Sequence, residues 1–337
     1  MPALGSLARG AGRSELRRHR ASFDRLPALA LPLVLVVALA GCKSGRKPVA
    51  VLAAASLARA FAELEEIVER QHSGLDVQIE IGGSQQLCRK LVELGGKADV
   101  LAVADYRTID NICRPGGQAR FNIQFATNAI VLAHLEHSRF TAEVTEKSWP
   151  EILLRPGVRL GLVDPDLGPI GYRTLLVWQL AGRELGQPDL AGRLRARVAR
   201  EHVAPHESEL MQLLQTRAID YAFVYRSTAE EHNLKLVKLP NSYNLGAPDR
   251  AADYRAASVQ VKMRRDEPPK RVVGAPVIYG VTIPEKPTNP RGGEIFVRAL
   301  LGETGRRVLA RTGFSPLSPA RCPERDRLPT ALRALTR

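Results

Sequence analysis

The chain is poor in the residues that carry most covalent and metal chemistry. Its 337 residues include only four cysteines, three methionines and two tryptophans. Cys42, Cys88, Cys113 and Cys322 form no CxxC and have no histidine at ligand spacing, which excludes the common zinc sites. An oxidising compartment permits one disulfide among the last three, and Cys88–Cys113 is the expected pair. The histidines beyond the N-terminal region, at 72, 134, 137, 202, 206 and 232, show close spacing only at 134/137 and 202/206. Neither pair has a third ligand nearby, so they read as surface residues. No GxSxG occurs and no serine has an evident histidine partner, which leaves a serine hydrolase as the weakest reading. Neither GxxxxGK nor GxGxxG is present, so nothing marks a nucleotide loop. Basic residues outnumber acidic ones, 49 to 35, for a formal charge of +14. Such a surface attracts anions. The charge is scattered, apart from runs such as Lys262-Met263-Arg264-Arg265, and is not interleaved with aromatics, so no nucleic-acid partner is expected.

Long apolar runs are also scarce. The prominent one, LPALALPLVLVVALAG, follows Arg17, Arg18 and Arg20 and stops at Cys42. A charged flank, a short greasy core and small residues make an export signal, too short to span a bilayer comfortably. Leu39-Ala40-Gly41-Cys42 resembles the lipobox of bacterial lipoproteins, which implies cleavage before Cys42 and lipidation of that cysteine. Residues 1–41 hold six arginines and two acids, so the remainder keeps ten of the fourteen net charges. Residues 42–47 read as the lipidated cysteine and a polar tether.

From Pro48 the pattern is strand, helix, strand, helix, strand. VAVLAAASL is an apolar run suited to a buried parallel strand, and residues 57–71 carry Phe61, Leu64, Ile67 and Val68 at helical spacing. DVQIEI, the helix QQLCRKLVELG and ADVLAVAD follow. This order predicts an α/β fold with mostly parallel sheet. FATNAIVLAH reads as one strand with a polar break at Thr127-Asn128. WPEILLRPG is a short helix and VRLGLVD a strand; GYRTLLVWQLAGREL is a helix and 188–206 an irregular helical stretch. SELMQLLQTRA is a helix, IDYAFVYR and HNLKLVKLP are strands, and 241–256 is irregular. VQVKM and VVGAPVIYGVTIP are strands, and GGEIFVRALLGETGRRVLART is one last helix. The expected organisation is two lobes, 48–126 plus 275–320 and 127–274, with 321–337 a flexible tail. Ligand sites of such sheets lie at the carboxyl ends of strands, here in a cleft between lobes.

Three strand–helix junctions stand out. Ser56 follows the first strand, where it could simply cap the next helix or could join unpaired first-turn amides in an anion seat. Gly82-Gly83-Ser84 allows close backbone approach and adds a hydroxyl, though a tight turn with a cap is the plainer reading. Asp164–Arg173 is stiffened by two prolines and relieved by two glycines; its acids could cap a helix or hold a cation. Together the junctions suit a small oxyanion held by neutral donors and helix ends.

Specific stretches carry a family likeness: AASL at 54–57, GGS at 82–84, KADVLAVADY at 97–106, NAIVLA at 128–133, GPIGYR at 168–173, DYAFVYRS at 220–227 and PVIYGVTIPE at 276–285. The chain resembles the archaeal-type molybdate/tungstate-binding lipoproteins of ABC importers, across residues 49–320. The resemblance implies a two-lobed type II periplasmic-binding fold and a monomeric, non-enzymatic receptor without cofactor. It further implies a partner permease with its ATPase, and a lipid anchor at Cys42 that holds the protein outside the cytoplasmic membrane. The oxyanion-binding residues it implies are Ser56, Ser84, Gly168, Pro169, Ile170, Glu207 and Tyr225. The family's Asp-Pro-Cys-Gly-Tyr-Arg reads Gly168-Pro169-Ile170-Gly171-Tyr172-Arg173 here, so one ligating carboxylate is missing; Asp166, two residues earlier, substitutes only if the loop shifts. This departure favours a tetrahedral ligand held by hydrogen bonds, with sulfate or phosphate as the alternative anion. Tyr172 and Arg173 are expected to shape the loop and cap the cleft.

Overall fold

The computed structural model describes residues 45–93, 95, 97–262 and 268–337. The signal segment, Cys42 and the first residues of the tether lie outside the described residues. No helix among those described is long and apolar enough to cross a membrane.

The chain opens with β1 (Lys47–Ala54), whose apolar run is buried, then a 3-10 turn at Ala55–Leu57 and α1 (Ala58–Gln71). Phe61, Leu64 and Val68 bury one face of α1, as their spacing predicts. β2 (Leu75–Gly82), α2 (Ser84–Glu93), β3 (Val100–Val103) and a π-helical turn at Ile109–Cys113 follow. Next come β4 (Ile123–Asn128), β5 (Ile130–His134), α3 (Trp149–Leu154), β6 (Leu160–Val163) and α4 (Pro169–Glu184). The irregular stretch resolves into α5 (Leu190–Arg197), a 3-10 turn at Arg200–His202 and β7 (Val203–Ala204). Then follow α6 (Glu207–Gln215), β8 (Tyr221–Tyr225), α7 (Arg226–Glu231) and β9 (Lys235–Lys238). The segment read as irregular holds α8 (Ala251–Tyr254), anchored by buried Tyr254. The remainder is β10 (Ser258–Val261), β11 (Lys270–Val273), β12 (Val277–Thr282), α9 (Pro290–Leu301), α10 (Glu303–Arg311), β13 (Ser315–Arg321) and α11 (Thr330–Arg333).

Two main sheets organise these elements. One has the order β13-β4-β12-β3-β1-β2 and the other β7-β6-β8-β5-β9; β10 and β11 form a separate hairpin pair. The first sheet is parallel only across β2, β1 and β3, and antiparallel through β12, β4 and β13, so the expected mostly parallel sheet is in fact mixed. The stretch read as a single strand over FATNAIVLAH is two. Its polar break is where the chain leaves the first sheet at Asn128 and enters the second at Ile130. The chain returns through β12. The architecture is the expected two-sheet α/β fold.

Three further expectations change. The last helix is two, because the chain breaks at Gly302 and Gly305 packs against the end of α9: a Cβ there would lie 2.1 Å from the Leu300 carbonyl oxygen. The segment 321–337 is not a loose tail. Leu328 and Leu332 are buried, and Ala320 and Cys322 exchange backbone hydrogen bonds with Leu335 and Arg337. Each buried leucine contributes about 1.5–3 kcal/mol, and the backbone bonds close the segment back onto β13. Finally, Cys88 and Cys113 are both free thiols. They are fully buried and hydrogen-bonded to each other, and that bond together with burial keeps the Cys88 thiol protonated.

A buried carboxylate ties the start of the first sheet together. Asp99 is fully buried and accepts hydrogen bonds from the Ala50 amide (2.8 Å), the Thr288 hydroxyl (3.1 Å) and the Asn289 amide (2.5 Å). Asn289 in turn caps α9 through the Gly292 amide.

Candidate functional site

A cavity of about 500 Å³ lies between the two sheets. Four helices of eight residues or more begin at its wall: α1, through the turn at Ala55–Leu57, and α2 from the first lobe, α4 and α6 from the second. The first amides of a helix have no partner within it and carry partial positive charge. Their convergence follows from topology, because each helix starts where a strand of one sheet ends.

All seven residues expected to bind the anion line this cavity: Ser56, Ser84, Gly168, Pro169, Ile170, Glu207 and Tyr225. Ser56 makes no helix cap; its hydroxyl is 2.9 Å from the Tyr279 hydroxyl. Tyr279 is fully buried on β12, held edge-on between Phe125 and Phe314. Ser84 opens α2, and its hydroxyl oxygen accepts the Ala104 amide at 3.1 Å, joining the loops that follow β2 and β3. That bond leaves its proton free to donate.

On the second lobe, Pro169 occupies the first helical position of α4 after Gly168, whose backbone is extended. Gly171 is required there, since a Cβ would meet the Val163 carbonyl oxygen at 2.4 Å. Gly168 is roomier, with Val163 Cγ1 3.0 Å from where a Cβ would sit. Asp166 does not line the cavity: its carboxylate accepts the Lys262 amide at 2.6 Å. The loop therefore holds Asp166 away from the position a substitute ligand would need.

Glu207 begins α6, and its carboxylate accepts the Tyr225 amide at 3.4 Å. Desolvation pushes this carboxyl up to about 7, against the opposing bonds from Thr228 and Tyr225 and the pull of Arg173; nearby Glu231 adds to the rise. Tyr225 ends β8 and is nearly buried; its hydroxyl accepts a hydrogen bond from the Arg173 guanidinium.

Arg173, expected to shape the loop and cap the cleft, is the one guanidinium on the cavity wall among the described residues. It is buried, with its charge 5.8 Å from the Tyr172 ring and 5.6 Å from the Tyr225 ring. Burial works against that charge, but the surrounding Tyr225, Tyr172 and Asp105 outweigh it and hold the group protonated. Across the cleft, Asp105 is neutralised by Arg107 through contacts of 3.0 and 2.7 Å. Burial alone would raise the Asp105 carboxyl, yet Arg107 brings it below its ordinary value. Tyr279, Asp105 and Thr108 also line the cavity and were not singled out from sequence, and His206, read as a surface histidine, is an exposed member of the lining. Tyr279 and Asp105 do fall inside the quoted stretches PVIYGVTIPE and KADVLAVADY. Among the described residues no lysine lines the wall, and there is no cluster of three or more His, Cys, Asp or Glu side chains fit for a free metal ion.

This arrangement can seat an anion without forming a bond to it. Hydroxyls and helix amides supply directed donors, while Arg173 supplies charge through Tyr225. Comparison with known proteins places the chain. Residues 49–315 match the family described as "Bacterial extracellular solute-binding protein". A solute-binding protein of Petrotoga mobilis is 35% identical over 271 residues, covering 80% of this chain and 84% of that one. "Molybdate/tungstate-binding protein WtpA" of Pyrococcus abyssi is 30% identical over 321 residues, covering 85% and 92%. Among solved structures, the substrate-binding domain of a putative molybdenum ABC transporter from Clostridium difficile shares the fold with a TM-score of 0.56. It is 18% identical and covers 80% of this chain and 99% of that one.

Proposed function

Since the chain belongs to the bacterial extracellular solute-binding protein family, we propose that it is the receptor of an ABC importer that captures molybdate or tungstate. The observation that carries this reading is the convergence of four helix N-termini and the hydroxyls of Ser56, Ser84 and Tyr225 on one interlobe cavity. Neutral donors with fixed geometry suit a tetrahedral dianion that must be released again to a permease. The Pyrococcus relative's name supports this choice of ligand. Ser56, Ser84, the Gly168–Ile170 turn, Glu207 and Tyr225 are the proposed contacts. The role is binding, with no catalytic step and no cofactor.

Capture requires closure. The cavity of about 500 Å³ equals roughly sixteen waters at about 30 Å³ each, far more than a five-atom oxyanion fills. Two of the large apolar side chains left exposed, Ile81 and Leu167, sit beside the cleft on opposite lobes. Burying them favours the closed state, and the ligand drives closure only by binding that state better. The closed form would present itself to the permease as a monomer, tethered to the membrane through lipidated Cys42.

Gly168 favours a second anion. With no carboxylate at that position, little but size separates molybdate from sulfate. Calorimetry of the purified protein with molybdate, tungstate, sulfate and phosphate tests both readings. Molybdate or tungstate should bind more tightly than the others. Silence with all four anions, and no thermal shift, would end the proposal.

A further inference from the structure

At the opposite pole of the second lobe, a separate cavity of about 200 Å³ is lined by Leu135, His137, Ser138, Arg139, Arg159, Arg217, Ile219 and Asp220. Its position follows from the strands. Arg159 precedes β6, Asp220 precedes β8 and Leu135 follows β5, whereas the cleft residues Gly168 and Tyr225 lie at the other ends of β6 and β8. The length of β8 separates the two cavities by about 13 Å at about 3.3 Å per residue.

This pole is built around one buried acid. Asp220 is 3% exposed and accepts from Arg139 Nη1 at 2.7 Å and from Arg159 Nε and Nη2 at 3.1 and 3.2 Å. The Arg159 amide adds a bond of 2.9 Å, and the Ser138 hydroxyl donates to the Asp220 carbonyl at 2.7 Å. These contacts fix two guanidiniums without using all their N–H groups. Arg217 then adds a third. It stands on a backbone with φ of 61°, after α6, at the exposed rim of the cavity, and the ion pairs of Asp220 go to Arg139 and Arg159 instead. Three guanidiniums against one carboxylate leave two positive charges in excess within a small concave space.

We propose that this cavity is a second oxyanion site, independent of the cleft, that takes a phosphoryl group. Planar guanidiniums match phosphoryl oxygens with paired N–H donors. The volume equals about six or seven waters, room for a phosphoryl group with water left over. Inorganic phosphate and the head-group phosphate of an anionic lipid share this chemistry.

The test titrates the full chain with inorganic phosphate at about 0.15 M salt, followed by phosphorus NMR line broadening. Wild type and Arg217→Ala are compared, with Ser84→Ala as the cleft control. None of the hydrogen bonds to Asp220 among the described residues runs through Arg217, so its variant should melt like wild type. Saturable binding should weaken at least fivefold in Arg217→Ala, recover in part in Arg217→Lys, and persist in Ser84→Ala. Capture of molybdate should be unchanged by Arg217→Ala, so failure here leaves the cleft reading standing and the reverse also holds. Co-sedimentation with phosphatidylglycerol and phosphatidylcholine vesicles separates the sources. Arg217-dependent retention on the anionic vesicles assigns the site to a head group, and its absence alongside phosphate binding assigns it to the free anion. Phosphate binding that is undetectable, or indifferent to residue 217 in a natively melting variant, overturns the proposal.

Discussion

Replacing Glu207 with glutamine should flatten the pH dependence of both stability and anion capture. Its carboxyl is pushed up to about 7 in the folded protein, chiefly by desolvation, against an ordinary value of 4.5. A raised acid binds its proton more tightly folded than unfolded. Its stabilising contribution is therefore complete below about pH 4.5 and is lost as pH climbs through 7. The full shift corresponds to at most about 3 kcal/mol at 1.36 kcal/mol per unit. Partial solvent access and screening reduce this to about 1–2 kcal/mol. Thermal melts between pH 5 and 8.5 should show wild type losing about 2–6 °C relative to Glu207→Gln as the pH rises. A dianion seated beside the carboxylate raises it further. Binding near pH 7.5 should then take up protons, measurable by calorimetry in buffers of different ionisation enthalpy, and affinity should fall as pH rises through 7. The glutamine variant should lose both effects. Parallel melting profiles, together with anion binding that moves no protons, would refute the assignment of a strained carboxyl to the cleft wall.

Other perturbations probe the remaining parts. Ser84→Ala should weaken capture of the preferred oxyanion by about 1–3 kcal/mol, the cost of losing the proposed hydroxyl donor to a charged ligand; calorimetry alongside a melt separates this from loss of the Ala104 bond. Gly168→Asp should tighten tungstate binding and add oxygen neighbours in X-ray absorption. Its Cβ displaces only the end of the Val163 side chain, 3.0 Å away, so the fold should persist, and an unaltered oxygen shell would count against coordination through this position. Asp99→Ala strips the acceptor from three donors and should cost about 3 kcal/mol in urea unfolding; a change below 1 kcal/mol would show that water replaces the carboxylate.

Sequence and structure agree where local pattern and tertiary environment make the same demand. VAVLAAA reads as a buried strand because both faces of β1 are covered, and the α1 stripe of Phe61, Leu64 and Val68 meets the sheet as spaced. They part where the partner decides. FATNAIVLAH is apolar on both sides of its break, so only Thr127-Asn128 hints that β4 and β5 belong to different sheets; buried Asn128 donates to the Ser227 hydroxyl at 2.7 Å where the chain crosses. The tail carries too few apolar residues for a periodic signal, yet Leu328 and Leu332 each find a buried place.

The cleft divides in the same way. Ser56, Ser84 and the 168–170 turn were legible because a strand–helix junction writes itself in glycine, serine and proline. The place of Tyr279 and the bond between Arg173 and Tyr225 were not, because a core tyrosine and a buried side-chain pair have no local signature. Their roles exist only once β12 brings Tyr279 to Ser56 and α4 brings Arg173 under Tyr225. Bonding the wall's cation to a neighbouring hydroxyl also has a physical consequence. A guanidinium that already donates to Tyr225 spends part of its donor set there and polarises that hydroxyl into a directed donor. On the proposed reading, the hydroxyls and amides of two lobes that must meet supply the geometry of binding, and Arg173 adds the charge.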